Sequence, residues 1–222
     1  MEVIAEYMKC FRAWHKKMIF DEKKLLIFDY DGTIADTNSI HSKAFLKVLE
    51  GMQVNFDYLE LAGLSTEDAF KNILQKNNTH YKESDIISLS KRKRQIAKEL
   101  AQENLSLLPG CLEFLHEAKK YFMLAIVSSG SYENINYGLK KFKIFNLFHP
   151  VICRDHVTFS KPNPEGFLKA RSSFPEIKDS QILVLEDSEH GFDAARNANI
   201  EFIDIKQRDW FLLLQMLKSN HG

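Results

Sequence analysis

The feature that most constrains this chain is a short apolar stretch that ends in two aspartates. Leu25–Phe28 are four consecutive apolar residues, and the sequence continues with Asp29, Tyr30 and Asp31. An apolar run of this length predicts a short strand that is buried on both faces. Side chains two positions apart on an extended chain point to the same side. We therefore expect Asp29 and Asp31 to project together from the carboxyl end of the strand, where open α/β sheets bind ligands.

Two neighbouring carboxylates repel each other, and a hard divalent cation such as Mg²⁺, which takes oxygen ligands, can offset that repulsion. The same residues also suit a simple surface turn, because Asp31 is followed by Gly32 and Asp-Gly is a common turn signal. Taken alone, this stretch favours the turn. The choice between the two depends on the rest of the chain.

Composition excludes several classes of function. The chain has 222 residues, enough for one sizeable core with an insertion or for two small domains, and its 30 Lys and Arg balance its 30 Asp and Glu. We therefore expect neither nucleic acid nor a membrane surface as a partner. The three cysteines are far apart and form no Cys-x-x-Cys pair, so neither a zinc site nor a disulfide framework is indicated. No apolar run approaches the length of a membrane span. These features favour a cytoplasmic protein.

The second half of the chain alternates between strand and helix patterns, which predicts a Rossmann-like, doubly wound parallel sheet of the α/β class. The predicted strands after the first are residues 122–127, 151–152, 181–185 and 201–205. Helices are predicted to begin near Leu112, Tyr132, Pro164 and Glu189, and a last one covers residues 209–217. Because parallel strands share one carboxyl edge, polar residues that follow different strands should meet there.

The segment between the first two strands has helical periodicity instead. We predict a helical cap at residues 37–107, inserted into a catalytic core made of residues 23–36 and 108–222, with Ser65 and Asp68 as a helix-capping pair. The basic run 91–94 suits a solvated helix face, although one of its cations could face the acidic site. Ahead of the core, residues 1–22 are predicted to form an N-terminal helical extension.

Further polar residues follow the other predicted strands. Ser128, with the backbone N–H groups after it, could donate hydrogen bonds to a phosphate. Lys161 lies in a proline-stiffened loop that could hold its ammonium group over the strand ends. Glu186 and Asp187 add two carboxylates. Each of these has a plainer role on its own, as a helix cap, a surface lysine or a loop acid pair. Together they predict one site.

In chain order these residues form four motifs that resemble those of the haloacid dehalogenase superfamily of phosphohydrolases. They are residues 28–33 (FDYDGT), 127–130 (VSSG), 160–162 (SKP) and 185–188 (LEDS). Four motifs in the right order on predicted strand ends are a specific signal. The position of the cap, between the first two motifs, is similar to that in the subclass of β-phosphoglucomutases and sugar-phosphate phosphatases.

The resemblance implies a mechanism and a role for each residue. Asp29 would be the nucleophile that forms an aspartyl-phosphate, and Asp31 the general acid and base. Mg²⁺ would be held by Asp29, the Asp31 main-chain carbonyl, Asp187 and Glu186 alongside. The remaining implied contacts are Ser128, Ser129 and Lys161 for the substrate phosphate, and Thr66 and Lys93 in the cap for the rest of the substrate.

Several activities remain open within this family. Dehalogenation is disfavoured, because the dehalogenases need no metal and generally lack the second aspartate. Mutases carry an arginine where this chain has Thr66, and their second motif differs at Gly130 and Tyr132, whereas Lys93 matches them. We therefore predict a phosphatase acting on a small phosphorylated metabolite, with a mutase second. The third interpretation is a catalytically silent binding protein on the same fold. We expect the protein to be a monomer or a weak dimer.

Two histidines lie near the motifs. His41 is on a predicted helix face, where we expect it to steady the cap rather than to act as a base. His190 follows the acid pair and could donate a hydrogen bond near the site, although we expect it to face solvent from a loop.

Overall fold

A five-stranded parallel sheet forms the centre of the chain in the computed structural model, which describes residues 19–221. The strands are β1 (Leu25–Phe28), β2 (Met123–Val127), β3 (Val151–Ile152), β4 (Ile182–Glu186) and β5 (Glu201–Asp204), in the order β3-β2-β1-β4-β5. All four pairings are parallel. The predicted doubly wound sheet is confirmed, with strand ends within one residue of the predicted ones.

Eight α-helices accompany the sheet in the described part of the chain. They are α1 (Asn38–Leu49), α2 (Thr66–Lys76), α3 (Glu83–Asn104), α4 (Cys111–Ala118), α5 (Tyr132–Lys141), α6 (Glu165–Ser172), α7 (Glu189–Asn197) and α8 (Trp210–His221). Among the described residues, no helix is both long enough and apolar enough to cross a membrane. The predicted N-terminal helix lies almost wholly in residues 1–18, outside the described residues.

The sheet is central because β1 is apolar on both faces. Leu26 and Phe28 pack in one hydrophobic cluster with residues of α4 and α8. Leu25 and Ile27, which alternate with them, pack in a second cluster with residues of α6 and α7. All four side chains are fully buried, which explains the continuous apolar run. Cys111 and Cys153 are buried and form no disulfide among the described residues; Cys10 lies outside the described residues.

Helices α1 to α3, which we call the helical insertion, have a hydrophobic cluster of their own. Its centre includes Phe45 and Phe70, whose ring centroids are 4.9 Å apart. Ser65 caps α2 by accepting a hydrogen bond from the Asp68 backbone N–H, as predicted. The separate cluster favours the division into cap and core at residues 37–107, which stays a prediction.

The insertion leaves and re-enters the sheet at adjacent points. The Asp36 N–H donates to the Ser106 carbonyl at 2.9 Å, and the Leu108 N–H donates to the Ile34 carbonyl at 3.0 Å. These two backbone bonds tie the outgoing and returning segments together beside the carboxyl end of β1. The insertion is thereby positioned over the same sheet edge at which Asp29 and Asp31 emerge.

Candidate active site

Side chains from three separate segments meet at the carboxyl edge of the sheet. Lys161 Nζ lies 2.7 Å from Asp29 Oδ1, directly after β1, and 2.7 Å from Glu186 Oε2, the last residue of β4. All three side chains are buried. A buried ammonium between two carboxylates satisfies charges that would otherwise be very costly to remove from water. The fold thus brings together residues that are 132 positions apart in the chain.

The carboxylates of Asp29, Glu186 and Asp187 form a cluster that suits a divalent cation. One oxygen from each lies within 4.8 Å of the others. Burial and the nearby Glu186 raise the pKa of Asp29, and the same causes raise the pKa of Asp187 to about 6. Two lysines face these three acids, the buried Lys161 and the half-exposed Lys206, whose Nζ lies 3.3 Å from Asp187 Oδ2, so the acids remain in excess. Because a hard cation prefers oxygen ligands and would offset this excess, the cluster fits the predicted Mg²⁺.

Glu186 is held by the start of α7. Its Oε1 accepts hydrogen bonds from the Ser188 hydroxyl at 2.8 Å and from the backbone N–H groups of Asp187 and Ser188 at 3.1 and 3.2 Å. Gly191 packs directly against it, since a Cβ at this position would lie 2.0 Å from Glu186 Cδ. The close approach of Glu186 therefore requires a glycine at position 191.

Asp31 is held by a chain of side chains that links the core to the insertion. Its Oδ1 lies 3.1 Å from His41 Nε2, and His41 Nδ1 lies 3.1 Å from Lys93 Nζ. An ammonium can only donate hydrogen bonds, so Nδ1 accepts from Lys93 and Nε2 carries the proton that faces Asp31. The prediction that His41 steadies the cap did not include this contact with Asp31.

The three linked side chains shift one another's pKa values. Burial alone would raise the pKa of Asp31, but the charge and hydrogen bond of His41 outweigh it and lower that pKa to about 2. Burial lowers the pKa of Lys93 to about 8. The pKa of His41 is also lowered, by burial and by the charge of Lys93. At neutral pH, Asp31 is therefore ionised and accepts a hydrogen bond from the Nε2–H group of His41.

One pocket between the sheet edge and the insertion contains most of the predicted site residues. It is lined by Asp29, Asp31, Thr66, Lys93, Ser128 and Ser129, among others. Lys161 and Glu186 contact Asp29 or its neighbours from behind this pocket. In the basic run 91–94, Lys91 and Arg92 are exposed and Lys93 is buried. The first two residues of the run thus form a solvated face, while Lys93 lies beside His41 and Asp31.

Two arginines also lie in the pocket wall; one belongs to the basic run 91–94, and the other was not foreseen. Arg94 of the insertion and Arg154, which follows β3, both line the pocket. Both also bind the same carboxylate oxygen, Oε1 of Glu67 on α2, with Arg154 Nη1 at 3.3 Å and Arg94 Nη2 closer. Arg154 lies nearly ninety positions from Glu67 in the chain, and no sequence motif joins them. Only the tertiary fold could reveal this pairing.

The insertion is bound to the core at two further points beside the pocket. The Ser129 hydroxyl donates to the Gly63 carbonyl at 2.7 Å. His190 Nδ1 lies 2.9 Å from the Ala62 carbonyl. The prediction that His190 faces solvent from a loop is wrong, because His190 lies in the first turn of α7 and contacts the loop that precedes α2. These contacts close the pocket on the side of the sheet edge.

Comparisons with known proteins agree with this geometry. The family model described as haloacid dehalogenase-like hydrolase matches residues 26–205. Fructose-1-phosphate phosphatase YqaB of Escherichia coli is 26% identical over 184 residues, which cover 82% of this chain and 95% of that protein. Beta-phosphoglucomutase of Bacillus subtilis is 26% identical over 193 residues, 83% of this chain and 84% of that protein.

Solved structures share the fold as well. The crystal structure of beta-phosphoglucomutase from Clostridium difficile superposes with a TM-score of 0.74, covering 89% of this chain and 98% of that one at 22% identity. The family match spans both halves of the sheet and the insertion between them. The chain therefore belongs to the haloacid dehalogenase-like hydrolases and is, like its phosphatase relatives, a phosphohydrolase.

Proposed function

We propose that this protein is a magnesium-dependent phosphatase that hydrolyses a small phosphorylated metabolite, a sugar phosphate, through an aspartyl-phosphate intermediate. The observation that carries the proposal is the buried contact of Lys161 with Asp29 and Glu186, at 2.7 Å each, directly behind a pocket that is lined by Asp29, Asp31 and Ser128. The relatives support the substrate class, because one is named as a fructose-1-phosphate phosphatase and another as a beta-phosphoglucomutase.

Asp29 is the proposed nucleophile. Lys161 holds its Oδ1, and this contact fixes the direction of the other oxygen, Oδ2, which attacks phosphorus. The positive charge of Lys161 also favours the ionised form that burial disfavours. Mg²⁺ bound by Asp29, Asp187 and the Asp31 main-chain carbonyl, with Glu186 alongside, would supply the positive charge that offsets the phosphate oxygens.

Asp31 is the proposed acid and base. With a pKa of about 2 it is ionised in the free protein at neutral pH, as a base for the attacking water must be. An incoming phosphate places further negative charge beside it and raises that pKa, so that Asp31 can carry a proton to the leaving oxygen. His41, which donates to Oδ1, orients the carboxylate for both steps.

Ser128, Ser129 and Lys161 are proposed to hold the transferring phosphoryl group. The Ser128 hydroxyl lies 3.4 Å from Asp31 Oδ2 and accepts a hydrogen bond from the Gly130 N–H at 3.0 Å. These contacts fix the Ser128 hydroxyl beside Asp31. Thr66 and Lys93, which line the opposite side of the pocket, are proposed to contact the remainder of the substrate, and the contacts between insertion and core would exclude bulk water during the reaction.

The test is hydrolysis of an aryl phosphate such as p-nitrophenyl phosphate, with and without Mg²⁺. We expect phosphate release that requires Mg²⁺ and that falls by roughly three orders of magnitude or more in Asp29→Asn. Asp193→Asn is the matched control, because Asp193 is exposed and pairs only with Arg196 among the described residues. A protein that folds but is inert toward a panel of phosphorylated metabolites would support the silent binding protein and overturn the proposal.

A mutase remains the second candidate because of one structural observation. The sequence places Thr66 where mutases carry a phosphate-binding arginine, yet Arg94 and Arg154 line the same pocket and could bind a second phosphate. The two activities are separated by following β-glucose 1-phosphate with a trace of the bisphosphate. Release of free phosphate supports the phosphatase, whereas formation of glucose 6-phosphate without free phosphate would defeat it.

A further inference from the structure

We propose that Trp210, the first residue of α8, is a positioning residue for the segment that follows β1 and carries Asp29 and Asp31. We call this segment, residues 29–35, the acidic turn. The inference rests on the proposed function, because it concerns the same two aspartates and the same Mg²⁺. The family match ends at residue 205, so Trp210 lies outside the part of the chain that carries the four motifs. Its role can be inferred only from its tertiary contacts.

The indole of Trp210 is hydrogen-bonded to the acidic turn. Its Nε1–H donates to the Thr33 main-chain carbonyl at 3.1 Å. Trp210 is 3% exposed and Thr33 is fully buried. Among the described residues, no other group donates to this carbonyl. Because a buried carbonyl without a donor is costly, the indole fixes where Thr33 lies.

The same ring also packs against the residue that comes directly before the acidic turn. Phe28, the last residue of β1, stacks on Trp210 with ring centroids 6.1 Å apart and ring planes at 26°. Phe114 of α4 also contacts the indole, with ring centroids 5.0 Å apart. Trp210 therefore contacts the chain both before Asp29 and after Asp31, and it holds the two ends of the segment that lies between.

A displacement of the acidic turn would also reach the carboxylate of Asp187, which is a proposed ligand of Mg²⁺. A Cβ at Gly32 would lie 2.5 Å from Asp187 Oδ2, and the Thr33 hydroxyl lies 3.4 Å from Asp187 Oδ1. The main-chain carbonyl of Asp31, another proposed ligand, belongs to the same turn. Groups that orient metal ligands from outside affect metal affinity. Trp210 thus holds the proposed ligands in the arrangement that binds Mg²⁺.

The test is Trp210→Phe, which keeps an aromatic ring but lacks the N–H donor. Mg²⁺ binding, measured by calorimetry on the full chain, should weaken about threefold or more, since one hydrogen bond is worth about two- to tenfold in an equilibrium constant. Phe211→Leu is the matched control, because Phe211 is the next residue of α8 and is 54% exposed; it should bind Mg²⁺ as the parent does. A role confined to packing would lower only the unfolding midpoint. Equal Mg²⁺ affinity in Trp210→Phe and the parent would refute the proposal.

A second measurement keeps Trp210 unchanged. The chain has two tryptophans, and the indole N–H signal that persists in the NMR spectrum of Trp14→Phe belongs to Trp210. We expect Mg²⁺ to shift this signal in the parent protein, with saturation at the same Mg²⁺ concentration as in calorimetry. An indole signal that does not move while calorimetry records binding would overturn the proposal, even if Trp210→Phe does not fold.

The kinetics of p-nitrophenyl phosphate hydrolysis separate this inference from the function on which it rests. At saturating Mg²⁺, Trp210→Phe should lower kcat about fivefold or more and leave KM within about twofold, because the aspartates are misplaced while substrate binding is kept. A parent protein that binds Mg²⁺ and releases phosphate, with kcat unchanged in Trp210→Phe, would refute the role of Trp210 alone. A parent protein that does neither would overturn the proposed function as well.

Discussion

Replacing Lys93 by Met should stabilise the protein while it impairs the active site. Lys93 is 5% exposed, and burial lowers its pKa from 10.5 to about 8. Because one pKa unit corresponds to about 1.36 kcal/mol, holding this lysine protonated destabilises the folded chain by about 3 kcal/mol at pH 7. Its hydrogen bond to His41 offsets about 1 kcal/mol of that. We expect Lys93→Met to raise the free energy of unfolding by about 2 kcal/mol.

The sign of the pH dependence follows from the same shift. Between pH 8 and 10.5 the unfolded chain keeps the Lys93 proton and the folded chain has lost it. Because the unfolded state then binds more protons, the free energy of unfolding of the parent protein increases with pH across this window. The advantage of Lys93→Met is therefore fully present below pH 8 and disappears as the pH approaches 10.5.

Urea unfolding at pH 7 and pH 9.5 measures the difference in free energy of unfolding between Lys93→Met and the parent protein. Lys91→Met is the matched control, because Lys91 is exposed on the same helix, and its effect should stay within about 0.5 kcal/mol. Phosphate release by Lys93→Met should fall at the same time, since Asp31 loses the chain that orients it. The reasoning would be refuted if Lys93→Met were less stable than the parent at pH 7, or if its stability difference did not change with pH.

Three further substitutions test the site. Gly191→Ala should lower the free energy of unfolding by about 2–4 kcal/mol, because its Cβ would displace Glu186. For the same reason it should weaken the binding of Mg²⁺, measured by calorimetry. An unchanged midpoint of urea unfolding would contradict this. Lys161→Met should lower the free energy of unfolding, measured with urea, by about 3–5 kcal/mol, because it leaves buried carboxylates unpaired. An unchanged free energy of unfolding would argue against the buried contact. Arg154→Gln should raise the KM of a bisphosphate about tenfold or more but not that of a monophosphate, with Arg171→Gln as the control; equal effects on both would show no role in binding a second anion.

The sheet could be predicted from sequence because its strands have simple signals. The apolar run at Leu25–Phe28 is buried on both faces, and a run of that kind permits few alternatives. Because the strands are parallel, polar residues that follow β2 and β4 must all lie at the carboxyl edge of the sheet. This is why the contact between Lys161 and both Asp29 and Glu186 agrees with the predicted convergence, although the sequence gives no distance.

The walls of the pocket could not be predicted in the same way. The shared contact of Arg94 and Arg154 with Glu67 depends on the angle at which the insertion meets the core. His190 was misplaced for the same reason, since its partner is a carbonyl of the inserted segment. Local patterns specify the helices of the insertion. They do not specify how the insertion lies on the sheet, and so they leave substrate identity open.

The central claim, that Asp29 carries the phosphoryl group, is tested most directly by trapping it. In Asp31→Asn, p-nitrophenyl phosphate has a leaving group that needs little protonation, while the base for the attacking water is gone. After rapid acid quench, mass spectrometry should find one added phosphoryl group on the peptide that contains Asp29, and none in the variant that also carries Asp29→Asn. Phosphate release without any such adduct, or an adduct on another residue, would contradict the account.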